Sequence, residues 1–81
     1  MSDNVLAHSR MERGRDELMM RMKRQCYITR CVHNLGMVLG LDEYTVWETT
    51  DMAQQMFASG SSIARALGFA YRRMHWMEGQ L

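Results

Sequence analysis

Proline is absent from this 81-residue chain, and cysteine is confined to Cys26 and Cys31. Without proline, no helix is forced to stop or kink by a fixed ring and a missing donor. Two cysteines cannot make the disulfide framework of a small secreted domain. Long apolar runs are missing too. Arg21, Lys23, Arg24 and Arg30 interrupt the best stretch, which falls short of the roughly 20 apolar residues that cross a bilayer. The opening Met1-Ser2-Asp3-Asn4 is polar with no apolar segment behind it, so no secretory leader is expected. A reducing, cytoplasmic setting with no membrane partner follows as the expectation.

Excess charge of one sign is also lacking, since the net charge is only +1. It is unevenly spread: residues 10–30 carry seven Lys/Arg against three acids, while residues 42–51 carry four acids and no base. The chain is bipolar rather than basic, and the simplest expectation is that the acidic segment lies near the basic ones and balances them.

What is present in quantity is Met, Leu, Ala, Arg, Glu and Gln, residues that lose little freedom on entering a helix. The fold class is therefore all-α. Ten methionines are many for this length, and methionine suits both irregular cores and adaptable binding surfaces.

Start and stop signals divide the chain into three helices. Ser9-Arg10-Met11-Glu12 reads as a capping box opening the first, with Gly40-Leu41-Asp42 closing it after about Leu39. Gly14 and Gly36 each cost roughly 1 kcal/mol relative to Ala, so a break near Gly36 is an open alternative to a continuous helix, and a change of apolar face along the segment leaves a break near residue 25 open as well. Thr45-Val46-Trp47-Glu48 repeats the capping device and starts a second helix running to about Ala58. Ser59-Gly60-Ser61-Ser62 then provides an exit and a new N-cap, which predicts a third helix from Ile63 to about Met77, antiparallel to the second. The expected organisation is a flexible segment 1–8, one helical domain 9–78 and a frayed end 79–81: a long N-terminal helix plus an antiparallel helical hairpin.

Rotating residues about 100° apart shows where the apolar side chains point. In the first helix Tyr27, Ile28, Cys31, Val32, Leu35, Val38 and Leu39 share an arc, with Thr29, Arg30, His33 and Asn34 opposite. Before them, Met11, Leu18, Met19, Met22 and Cys26 form a stripe on nearly the other side. The apolar face thus changes direction along one segment, which predicts two different neighbours or a broken helix. In the second helix Val46, Met52, Ala53, Met56 and Phe57 form the core stripe with Thr49 inside it, and Trp47 points away beside Asp51, Gln54 and Ala58. In the third, Ile63, Ala66, Leu67, Ala70, Tyr71, Met74 and Met77 face inward, whereas Phe69 and Trp76 sit among Arg65, Arg72 and Arg73.

Apolar surface beyond the capacity of one small core marks an association site. An intertwined or side-by-side homodimer is expected, with Met11, Leu18, Met19, Met22 and Cys26 in its interface. Arg65, Phe69, Arg72, Arg73, Trp76 and Trp47 are the candidate residues for binding a second, unidentified protein, because aromatic residues and arginine anchor interfaces. The competing reading is that Phe69 and Trp76 pack beneath the N-terminal half of the first helix or in the dimer seam, with the arginines solvated.

Chemistry of the chain's own is not expected. His8, His33 and His75 fall in separate segments, with no His-Glu-x-x-His pair, phosphate loop or nucleophile elbow. Cys26 and Cys31 lie about 140° apart on a helix and cannot bond to each other or share a metal. No enzyme, cofactor or metal site is expected. The functional expectation is a small regulator that binds and inhibits another protein, of the kind made by phages and mobile elements, or a bacterial anti-activator. The alternative is a dimeric nucleic-acid-binding regulator using the Arg65, Arg72 and Arg73 face or the basic first helix.

Overall fold

The computed structural model describes the backbone of residues 2–80 and the side chains of residues 12–80. It contains three helices, α1 (Ser2–Val38), α2 (Glu43–Ala58) and α3 (Ile63–Glu78), and no strand among the described residues. The chain is all-α, as its composition requires.

Helix α1 is unbroken. It runs through Ser9, so the capping box expected there does not start it, and it continues past residue 25 and through Gly36. Gly36 is not a weak point but a contact. It is buried, and a Cβ added there would run into the Val46 side chain of α2. The roughly 1 kcal/mol that glycine costs a helix interior is offset by the close approach it permits.

The exits of α1 and α2 each use a left-handed glycine. Gly40, at φ 71°, closes α1: the Leu41 N–H donates to the Gly36 carbonyl at 3.0 Å and the Gly40 N–H to the Met37 carbonyl at 3.1 Å. Gly60, at φ 105°, closes α2 with the same pair of bonds, Ser61 to Met56 and Gly60 to Phe57. These bonds satisfy carbonyls that a helix end leaves open.

The cap of α2 is Asp42, not the expected Thr45. The Asp42 carboxylate accepts the Thr45 backbone N–H at 3.2 Å and its hydroxyl, and these bonds, the hydroxyl first, hold its pKa below the ordinary value. Thr45 is one turn inside the helix, serving as Asp42's partner. For α3 the N-cap is Ser62, which accepts the Arg65 N–H at 3.1 Å.

The core is small: Ile28 and Val32 from α1, Val46 and Ala53 from α2, Ala66, Ala70 and Met74 from α3. Three of the seven are alanines, which let helices approach closely but bury little area each. Thr49 and Thr50 are buried as well, with hydroxyls donating back to the Thr45 and Val46 carbonyls at 2.8 Å, so neither is an unpaired polar group. Tyr27 and Val38, placed by periodicity in the core arc of α1, lie at its edge and are exposed.

Length decides what this core can cover. At about 1.5 Å per residue α1 is about 55 Å long, against about 24 Å for each of the others. Helices α2 and α3 therefore flank one part of α1 and leave the rest projecting. The molecule measures 65 × 18 × 16 Å, with a radius of gyration of 17.3 Å where a compact chain of this length has about 12 Å.

Candidate functional site

Every residue from 12 to 24 is exposed. This stretch of α1, called the arm below, carries Leu18 at 58% exposure and Met22 at 55%, with Met19 and Met20 close behind. The expected change of apolar face thus takes a different form. The arm's stripe is not covered within the chain. Its inner part borders the α2–α3 turn, where Glu17, Met20, Arg21 and Arg24 share a hollow with Phe57 and Ile63, yet Leu18, Met19, Met20 and Met22 all stay more than half exposed. Cys26, at its inner end, is also exposed, while Cys31 is half-buried. Met11 lies outside the residues whose side chains are described.

On α3, the residues singled out by their arginine and aromatic content divide into engaged and open ones. Arg73 is engaged: its Nε donates to the Thr49 hydroxyl at 3.2 Å and its guanidinium meets Glu48 at 3.6 Å. Phe69 is half-buried, whereas Arg65, Arg72 and Trp76 are exposed, the tryptophan at 64%. The bonds of Arg73 fasten α3 to α2. Part of the acidic segment is balanced at the same time, by an arginine of α3 rather than by the basic stretch of α1.

Trp47 belongs elsewhere. It opens on the α1 side of α2, and its ring lies 6.4 Å from that of Tyr44, both more than 60% exposed. Together with His33, Met37, Leu41 and Glu43 they line a groove of about 570 Å³ between α1 and α2. Tyr44, Met37 and His33 were not singled out in the sequence. Their signal was faint but present: Tyr44 precedes Trp47 by three residues, and His33 precedes Met37 by four, so each pair shares a helix face.

A second, shallower depression continues this groove along α1 through His33, past Arg30, Cys26 and Met22. Its floor is held by Gln54 of α2, whose amide nitrogen donates to the Gln25 carbonyl at 2.6 Å and to the Thr29 hydroxyl at 2.9 Å. The Gln54 carbonyl oxygen is buried with no hydrogen-bond partner, a local cost accepted for the clamp.

The α1–α3 side is chemically quieter. Cys31 lies between Tyr27 and Tyr71 and raises both phenols' pKa values. It acts on Tyr27 chiefly by hydrogen bonding, and it adds to the larger effect of burial on Tyr71. Among the described residues no three His, Cys, Asp or Glu side chains converge as a metal set, and no helix is long and apolar enough to cross a membrane. No protein-family model matches the chain, and no curated protein and no solved structure is significantly similar to it.

Proposed function

We propose that this is a non-enzymatic interaction protein: a cytoplasmic homodimer, joined through the arm of α1, that binds and inhibits a target protein with the open face of α3. The observation that carries the reading is the arm, where Leu18, Met19, Met20 and Met22 stand more than half exposed on a stretch of helix that α2 and α3 leave uncovered. A seven-residue core rich in alanine gives further support, because a helical protein this small gains stability from added burial, and twofold dimers are the commonest way to supply it.

In this reading α2 and α3 form an antiparallel hairpin, and Arg65, Arg72 and Trp76 contact the target, with half-buried Phe69 beneath them. Tryptophan and arginine are the residue types that dominate binding energy at interfaces. The engagement of Arg73 with Glu48 favours a protein over a nucleic-acid target, because it takes one of the three arginines of that face out of phosphate binding. A phage-type inhibitor or a bacterial anti-activator fits this size and chemistry.

Light scattering at micromolar concentration tests the dimer, with Leu18→Glu, Met22→Glu as the variant that should become monomeric. Affinity capture from a host extract, comparing the wild type with Arg72→Glu, Trp76→Ala, tests the target face. Recovery of the same proteins by a folded variant would remove α3 from the proposal.

A further inference from the structure

We propose that the groove at Tyr44 and Trp47 is the seat for the arm of a second copy, so that two chains lie antiparallel along α1 with Cys26 at the twofold axis and each arm fills the other's groove. This rests on the homodimer proposed above and specifies how it is built.

The first argument is a symmetry in the exposed surface of α1. Arg15, Met19, Met22, Cys26, Arg30, His33 and Met37 follow one another at spacings of four, three, four, four, three and four residues. At 3.6 residues per turn these positions form a single stripe along the helix, and all seven are exposed. The spacings read the same in both directions from Cys26. A twofold axis there pairs Met22 with the partner's Arg30, Met19 with its His33 and Arg15 with its Met37. An isologous interface needs this kind of self-matching, in which a patch meets its own copy turned through half a circle.

The second argument is chemical complementarity between two exposed features, the arm's methionines and arginines and the aromatic groove. The arm offers methionine and arginine, with five bases against three acids over residues 12–24. The groove offers two exposed aromatic rings beside Glu43. Methionine sulfur and guanidinium both bind favourably against aromatic rings. Of the other acids nearby, Glu48 is met by Arg73 and Asp51 by Gln55, which leaves Glu43 as the carboxylate lining the groove. In the paired arrangement Arg15 of the arm arrives beside Met37 and Glu43, and Met19 arrives beside His33 and Trp47.

The third argument is reach. His33 and Met37 lie seven and eleven residues beyond Cys26, about 10 to 17 Å along the axis, and Met19 and Arg15 lie equally far on the other side. A chain cannot fill its own groove, since α1 is one continuous helix and carries its arm in the opposite direction. The depression holding Met22, Cys26, Arg30 and His33 gives the partner helix room to lie close at the middle of that span.

The test is site-directed cross-linking in the full chain, with Cys26→Ser and Cys31→Ser removing the native thiols and circular dichroism confirming the helix content. Met19→Cys with His33→Cys, treated with a short bis-maleimide, should give a covalent dimer. The two positions are about 21 Å apart on one helix and cannot bridge within a chain. Met20→Cys with His33→Cys, displaced by about 100° around α1, should give at least about tenfold less. In the native-cysteine chain, Arg15→Glu should weaken the dimer by about tenfold, and adding Glu43→Arg should restore it. A dimer by light scattering that shows neither the selective cross-link nor the restoration overturns this arrangement while leaving the homodimer standing. A chain that stays monomeric at micromolar concentration overturns both and leaves the groove to a different protein.

Discussion

The two halves of α1 are built from similar residues and meet different fates. Residues 25–38 include Ile28 and Val32, both fully buried, and Gly36, which meets Val46. Residues 12–24 include Leu18 and three methionines, and not one of them is covered. Hydrophobicity alone therefore does not place a residue in this core. What places it is whether a residue lies within the span that two 16-residue helices can flank, and whether its neighbours are small enough for those helices to close on it.

The sharpest way to break this contrast is to remove one large side chain from each half. Ile28→Ala should destabilise the chain by about 2–5 kcal/mol, the usual range for deleting a buried aliphatic side chain, seen as a lower urea midpoint at any protein concentration. Leu18→Ala should leave the midpoint unchanged in dilute solution and lower it only where the protein associates, because a contact between copies stabilises by mass action. Equal, concentration-independent losses at both sites would mean that the arm packs within its own chain.

Gly36→Ala probes the covered half from the opposite direction. The added methyl would overlap the Val46 side chain, and overpacking of a core typically costs about 1–3 kcal/mol. Gly14→Ala is the matched change in the arm, where an added Cβ meets nothing within 4 Å. There the same substitution should stabilise the helix by about 0.5–1 kcal/mol through the ordinary preference for alanine. Opposite signs for one substitution in one helix, read by thermal melting, would sharpen the comparison. Two stabilising outcomes would show that α2 does not approach α1 at Gly36.

Gly36 also marks where the sequence stops being informative. Glycine in a helical pattern signals a break, a turn or a close approach, and only the position of Val46 on another element decides among them. The three helices were legible because their stops are local: Gly40 and Gly60 need nothing but their own backbone. Thr49, a polar residue inside an apolar stripe, was placed correctly by periodicity alone. Thr45 was misread because its hydroxyl satisfies the sequence rule for a cap, while the actual cap is the carboxylate of Asp42, three residues earlier. The leftover apolar stripe of the arm was legible as a surplus. The groove at Tyr44 and Trp47 was not, because it is made by two helices and neither helix signals it alone.

A smaller effect is expected from Gln54, which joins α2 to α1 at the inner end of the arm. Gln54→Ala removes two hydrogen bonds, each worth about 0.5–1.5 kcal/mol net, but it also relieves a buried carbonyl that has no partner. The net loss should therefore be at the low end of that range, and amide exchange should rise first around Gln25 and Thr29. A loss as large as that of Ile28→Ala would make the clamp, rather than the apolar core, the main tie between the two helices.

The mildest perturbation is acid. Asp42 accepts the Thr45 hydroxyl and backbone N–H, and its folded pKa lies below the ordinary 3.8. The stabilisation from its ionised form is complete above 3.8 and fades as pH falls through the lower folded value, where the unfolded chain already binds the proton. Asp42→Asn, whose amide oxygen can still cap, should lose this pH dependence and keep most of the helix. The difference between wild type and variant should disappear at the acid end of the titration. Because Asp42 lies just ahead of Glu43 and Tyr44, the same acidification should loosen the groove end of α2 before it affects the arm, whose apolar side chains are uncovered. Following Trp47 fluorescence and far-ultraviolet dichroism together would separate the two: the tryptophan signal should move first. Coincident transitions would mean that the groove end of α2 has no weaker step of its own.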